Sequence, residues 1–185
     1  MEQNFSTIEH PQKKNRRILW ALLLLPLLVI VVIYGYNYIT LQEPLNTVIE
    51  NDSRNKGIKV SVTYDSFINI SSIEYSLEEF SGLAPVDIFR VFLQYAEALK
   101  SSNFDYVILS LNGKPKFKIE GSYFKQLGSE YSSQNPAYTI RTFPENLYNM
   151  DGSKAYGQWT GGLLGVLKQQ MEDFNDFIKK WTETN

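Results

Sequence analysis

The chain has 185 residues, 18 of them basic and 20 acidic, for a net charge of −2, with one histidine and no cysteine. Its only histidine, His10, lies near the N-terminus. Everything after it therefore lacks Ser-His-Asp and Cys-His catalysis, thiol redox chemistry and the usual zinc ligands. Residues 40–185 hold 14 basic and 18 acidic side chains, net −4. A mildly acidic surface does not neutralise phosphates, so nucleic acid is excluded as a partner class.

Residues 1–17 form a short tail ending in Lys13, Lys14, Arg16 and Arg17. From Ile18 to Ile39 follow 22 residues without a charge. At the helical rise they span about 33 Å, enough for a hydrocarbon core of roughly 30 Å. The run has no polar face before Asn37, unlike a soluble amphipathic helix. Trp20 sits at one end and Tyr34, Tyr36 and Tyr38 at the other, where rings rest at headgroup level. Pro26 is tolerated in a membrane helix. A cleaved signal peptide is the competing reading, but the run exceeds a typical apolar signal core and no small-x-small site follows it. The basic flank predicts a cytoplasmic N-terminus in the plasma (inner) membrane, with the C-terminal domain periplasmic or extracellular. An exported domain without disulfides must hold by packing, which suits a bacterial envelope protein.

Residues 40–56 read as a polar stalk, or as the first turns of a helix continuing from the membrane. The domain proper then covers 57–185. Ile58, Val60, Val62 and Tyr64 alternate with polar residues, a half-buried strand. A second strand covers Phe67 to Leu77, with a parity change at Ser71-Ser72 that suits a bulge. Glu78 and Glu79 are adjacent, so a strand points them to opposite faces and they make a poor catalytic pair. Pro85 opens a helix through Lys100, with Ile88, Phe92, Tyr95 and Leu99 beside Phe89, Leu93 and Ala96 as its buried face.

Asn112-Gly113 supplies the positive φ angles of a tight hairpin turn between Phe104–Leu111 and Lys114–Glu120. A two-residue loop pairs Ile108 with Phe117 and Tyr106 with Ile119, leaving Lys116 and Lys118 on the other face with Leu109 and Val107. Pro115 lacks an N–H and points to an edge strand or a loop end. Ser122 to Ser132 reads as a short helix, Tyr138, Ile140 and Thr142 as a strand, and Pro144 to Met150 as a helical turn or loop. Asp151-Gly152 is a turn. Thr160 is the expected N-cap of a long last helix. Its stripe of Leu164, Leu167, Met171, Phe174, Ile178 and Trp181 suits docking on the domain's own sheet better than a coiled-coil seam. The sum is an α+β fold: a transmembrane helix, then helices on one antiparallel sheet, with a long C-terminal helix.

The segment Trp159-Thr160-Gly161-Gly162 is the most distinctive candidate site, because helix N-terminal amides hold anions and glycines allow close approach. No Lys-Ser/Thr follows, so a cap with tight helix–sheet packing is the preferred reading. Tyr138 and Arg141 are the other binding candidates. Arg141 needs a carboxylate partner if buried. The aromatics Tyr123, Phe124, Tyr131, Tyr138, Phe143, Tyr148, Tyr156 and Trp159 are expected in core or interface rather than a ligand groove. No cofactor or metal is expected. The lipid bilayer is the first expected partner, and another envelope protein or a second copy of the chain is the next. A domain with an aromatic pocket for a small ligand or glycan is the alternative, and a carboxylate-dependent hydrolase the third reading.

Overall fold

A computed structural model describes residues 14–66 and 70–183. These residues fall into two compact units, one up to Tyr36 and one from Asn37 onward. The first holds all but the last residue of helix α1, Lys14–Asn37, with Pro26 inside it. From Trp20 to Val32 every side chain is exposed, on all sides of the helix. By length and composition this is one helix long and apolar enough to cross a membrane.

The second unit opens with a π-helical turn, Tyr38–Gln42, and helix α2, Glu43–Asn51. A 3₁₀ turn, Ser53–Asn55, leads to strands β1, Lys59–Tyr64, and β2, Ser72–Glu79. Helix α3, Pro85–Ala98, precedes β3, Tyr106–Leu111, and β4, Lys114–Glu120. Helices α4, Gly121–Glu130, and α5, Pro136–Thr142, a 3₁₀ turn, Phe143–Asn146, and helix α6, Leu163–Thr182, complete the chain. The architecture is α+β, but the sheet is mixed rather than antiparallel. Its order is β1-β2-β3-β4, and β2 runs parallel to β3. The reason is α3: it joins β2 to β3 as a crossover, which returns the chain in the same direction.

The segment 40–56 is not a separate stalk: as the alternative expectation had it, helical turns continue through it to Asn51. Leu41 and Leu45 are fully buried in the core of the domain, and the Tyr95 hydroxyl donates to the Leu41 carbonyl. The π turn has a second consequence. In an α-helix, positions five apart lie about 140° apart around the axis. The Glu43 N–H instead reaches back five residues to the Tyr38 carbonyl, and this wider turn brings Asn37 and Gln42 toward one face. Their side-chain amides then act as peptide groups along the free edge of β1. Asn37 accepts from the Tyr64 N–H (3.0 Å) and donates to the Val62 carbonyl (3.2 Å). Gln42 accepts from the Val62 N–H (2.9 Å) and donates to the Val60 carbonyl (3.2 Å). The edge is thereby closed to other strands. Asn37→Ala or Gln42→Ala is expected to cost about 1–3 kcal/mol, since each strands partly buried backbone groups. Urea unfolding of the full chain in detergent reads this, and Gln42→Glu, which keeps only the acceptor, should fall between.

β1 buries Val60 and Val62 as its alternation requires. β2 begins at Ser72, later than expected, and residues 67–69 of the expected strand lie outside the described residues. The register shift sits between Lys59 and Val60 instead of at Ser71-Ser72. Asn112 and Gly113 take φ of 49° and 70°, as the tight turn demands. The hairpin register differs by one residue from the expectation. Leu109 pairs with Phe117 and Val107 with Ile119, while Ile108 faces Lys118. A bulge between Leu109 and Ser110 shifts the ladder next to Pro115, whose missing N–H cannot pair. Val107, Leu109, Phe117 and Ile119 thus line the core. Tyr106 is exposed on the other face, with the Lys118 ammonium 5.0 Å from its ring.

Tyr138, Ile140 and Thr142 lie on α5, not on a strand. Asn135 caps the helix by accepting from the Ala137 N–H, and Pro136 occupies its first turn. Those local signals outweigh the β propensity of Tyr-Thr-Ile. The helices share an aromatic interior. Phe89 meets Phe143 at 4.7 Å, Phe92 meets Phe124 at 5.6 Å, and Phe177 stacks on Trp181 at 5.4 Å. Only the C-terminal part of α6 docks, through Gln170, Phe174, Phe177, Ile178 and Trp181.

Candidate functional site

Trp159, Thr160, Gly161 and Gly162 form the loop before α6. Thr160 is not the N-cap. Gly162 occupies that position without a side-chain bond, and Gly161 at φ 136° turns the chain between Thr160 and the helix. Nor do the glycines serve close packing: a Cβ at Gly161, Gly162 or Gly165 would meet nothing within 4 Å. The Trp159 indole N–H donates to Asp173 at 2.6 Å, pinning the loop to α6. Beyond it an apolar strip stays uncovered. Trp159, Leu163, Leu164 and Met171 are 41, 70, 82 and 42% exposed. Of the first half of the expected stripe, Leu164 and Met171 are therefore largely uncovered, while Leu167 is half-buried.

Tyr138 and Arg141 sit together on α5. The Arg141 guanidinium lies 5.2 Å from the centre of the Tyr138 ring. It is half-buried, and a ring rather than a carboxylate is its partner among the described residues. Tyr138 also lines a cleft of about 210 Å³ with Tyr123, Gln126 and Glu130 of α4 and with Thr139, Thr142, Glu145 and Asn146. The lining carries two carboxylates and no Lys or Arg. Glu130 accepts from the Gln126 amide (2.9 Å) and Glu145 from the Gln170 amide (2.6 Å). Burial pushes the Tyr123 hydroxyl well above its ordinary pKa, so it stays a neutral donor. Sequence reasoning missed this cleft. Tyr123, Gln126 and Glu130 do fall three and four apart on α4, the spacing of one helix face. Their counterpart Glu145 comes from a turn that no pattern announces.

A wider open groove of about 730 Å³ runs between α2 and α3, past Asp52, Gln94, Glu97 and Tyr131. Two of its polar side chains, Asp52 and Gln94, are already engaged. Asp52 pairs with Arg54 at 2.6 Å and accepts from Gln94, and the Arg54 hydrogen bond, then that of Gln94, holds its carboxyl well below the usual range. Buried Asn55 donates to the Val48 carbonyl and to Gln94. Arg90 bonds Asp87, Asn55 and the Arg54 carbonyl. This network fastens the 3₁₀ turn to α2 and α3, a structural task. No group of three or more metal-ligating side chains stands together among the described residues.

No protein-family model matches the chain, and neither a curated protein nor a solved structure matches it at a significant level.

Proposed function

We propose that this chain is a single-pass membrane protein whose folded domain binds another protein and carries out no chemistry of its own. In this reading α1 crosses the plasma (inner) membrane, the basic tail stays in the cytoplasm, and the domain stands on the far side as a subunit of an envelope complex or a homo-oligomer. The observation that carries the reading is the uncovered apolar strip on the first turns of α6. A domain that packs its aromatic interior closely has no internal reason to leave Leu163 and Leu164 in water. A photo-crosslinking amino acid at position 164 of the full chain, in native membranes, is expected to give one discrete protein adduct. Leu164→Asp is expected to abolish complex formation while leaving stability within about 0.5 kcal/mol, as for other exposed sites. Absence of any adduct from positions 163, 164 and 171 would remove the basis of the reading.

The cleft beside Tyr138 favours a second reading, a small polar ligand held by Tyr123, Glu130 and Glu145. Thermal shift of the domain by such a ligand, lost in Glu145→Gln, would support it.

A further inference from the structure

Three separated stretches of the domain meet at one end of its sheet. Asn37 grips the backbone of Val62 and Tyr64 at the C-terminal end of β1. The Asp65 N–H bonds the Ser72 carbonyl, which brings the start of β2 to the same end. The Asp105 N–H bonds the Ser71 carbonyl, and Tyr106, first in β3, pairs with Ser72. At this end Tyr38, Ile39, Ile70 and Tyr106 are 53, 68, 54 and 42% exposed, beside the exposed carboxylates of Asp65 and Asp105. None belongs to the core cluster. The opposite end is polar, with the Lys59–Glu79 ion pair, the Asn112-Gly113 turn, and exposed Lys114.

The charge-free run also ends at this end of the domain. The run extends to Ile39, whereas the domain begins at Asn37, so no linker separates them. Any surface beside Asn37 is within a few residues of the end of that run.

We propose that this end of the domain is itself a lipid-binding surface. Tyr38, Ile39, Ile70 and Tyr106 rest in the headgroup layer of the membrane. The inference depends on the reading of α1 as a membrane anchor. Tyrosine suits that layer because its ring enters the apolar boundary while its hydroxyl stays hydrated, and isoleucine reaches the acyl boundary beneath. Lys118 is the cation placed against this group, over the Tyr106 ring. The contact is thus expected on zwitterionic lipid, without the basic cluster that anionic lipid recognition uses.

The absence of cysteine permits a clean test. Single variants Ile70→Cys, Tyr106→Cys, Val29→Cys and Lys114→Cys of the full chain are labelled with an environment-sensitive fluorophore. Each is reconstituted in phosphatidylcholine vesicles containing a spin-labelled lipid. Positions 70 and 106 are expected to show blue-shifted emission and lipid quenching, as position 29 does, and position 114 neither. If position 29 is quenched but 70 and 106 behave like 114, the surface is wrong and the anchor stands. If 70 and 106 are shielded from aqueous iodide yet not quenched by lipid, protein covers them and the proposal falls. If position 29 is not quenched, both the surface and the anchor reading fall.

Discussion

Trp181→Ala is expected to cost about 3–5 kcal/mol of domain stability, the range for removing a fully buried large aromatic side chain. Trp181 has no solvent exposure. It stacks on Phe177, meets Tyr75 and Phe92, and donates its indole N–H to the Ser110 carbonyl at 3.0 Å. Alanine leaves a cavity at the junction of α6, α3 and the sheet, and removes the hydrogen bond as well. Typical domains are stable by about 5–15 kcal/mol, so this one change takes a large fraction. Trp181→Phe keeps much of the volume and loses mainly the N–H, and should cost clearly less. Urea unfolding of the full chain in detergent, followed by tyrosine fluorescence and circular dichroism, orders the three proteins.

Gly128→Ala is expected to destabilise by about 3 kcal/mol, at the upper end for overpacking. A Cβ at this position would lie 2.1 Å from the Ala96 carbonyl oxygen and 2.5 Å from its carbon. Those are backbone atoms of α3, so no side chain can swing aside, and α3 and α4 must move apart. Gly165→Ala in α6 is the matched control. Its Cβ meets nothing within 4 Å, and alanine should stabilise the helix by about 0.5–1 kcal/mol. If both substitutions changed stability equally, the close approach of α3 and α4 would be wrong.

The features legible in the sequence are those fixed by neighbours along the chain. The alternation of Val60 and Val62, the two apolar rows of α3 and the Asn112-Gly113 turn all depend on local spacing and on a local φ requirement. The features that escaped depend on distant partners or on a single residue's exception. Pro115 sits beside a bulge, and a one-residue slip exchanges the faces of a strand. The parallel pairing of β2 and β3 is a property of the crossover, not of either strand. The segment after Ile39 read as a polar stalk or a continuing helix because its apolar anchors are few: two leucines, Leu41 and Leu45, with the amides of Asn37 and Gln42 beside them. α6 carried one continuous stripe, yet the domain fully buries only its second half.

That uneven coverage of α6 carries the functional proposal, and the absence of a linker after the apolar run carries the proposed lipid surface. One leaves an apolar surface for a protein partner, and the other places the domain directly after the apolar run. Both acquire their proposed meaning only if the domain is displayed across a membrane. The most direct measurement is a pair of C-terminal fusions to the full chain, one to a phosphatase active only outside the cytoplasm and one to a fluorescent protein that matures only inside. The account predicts phosphatase activity in intact cells and a dark fluorescent fusion, both recovered in the membrane fraction. A fluorescent fusion with an inactive phosphatase, or recovery of either in the soluble fraction, would contradict it.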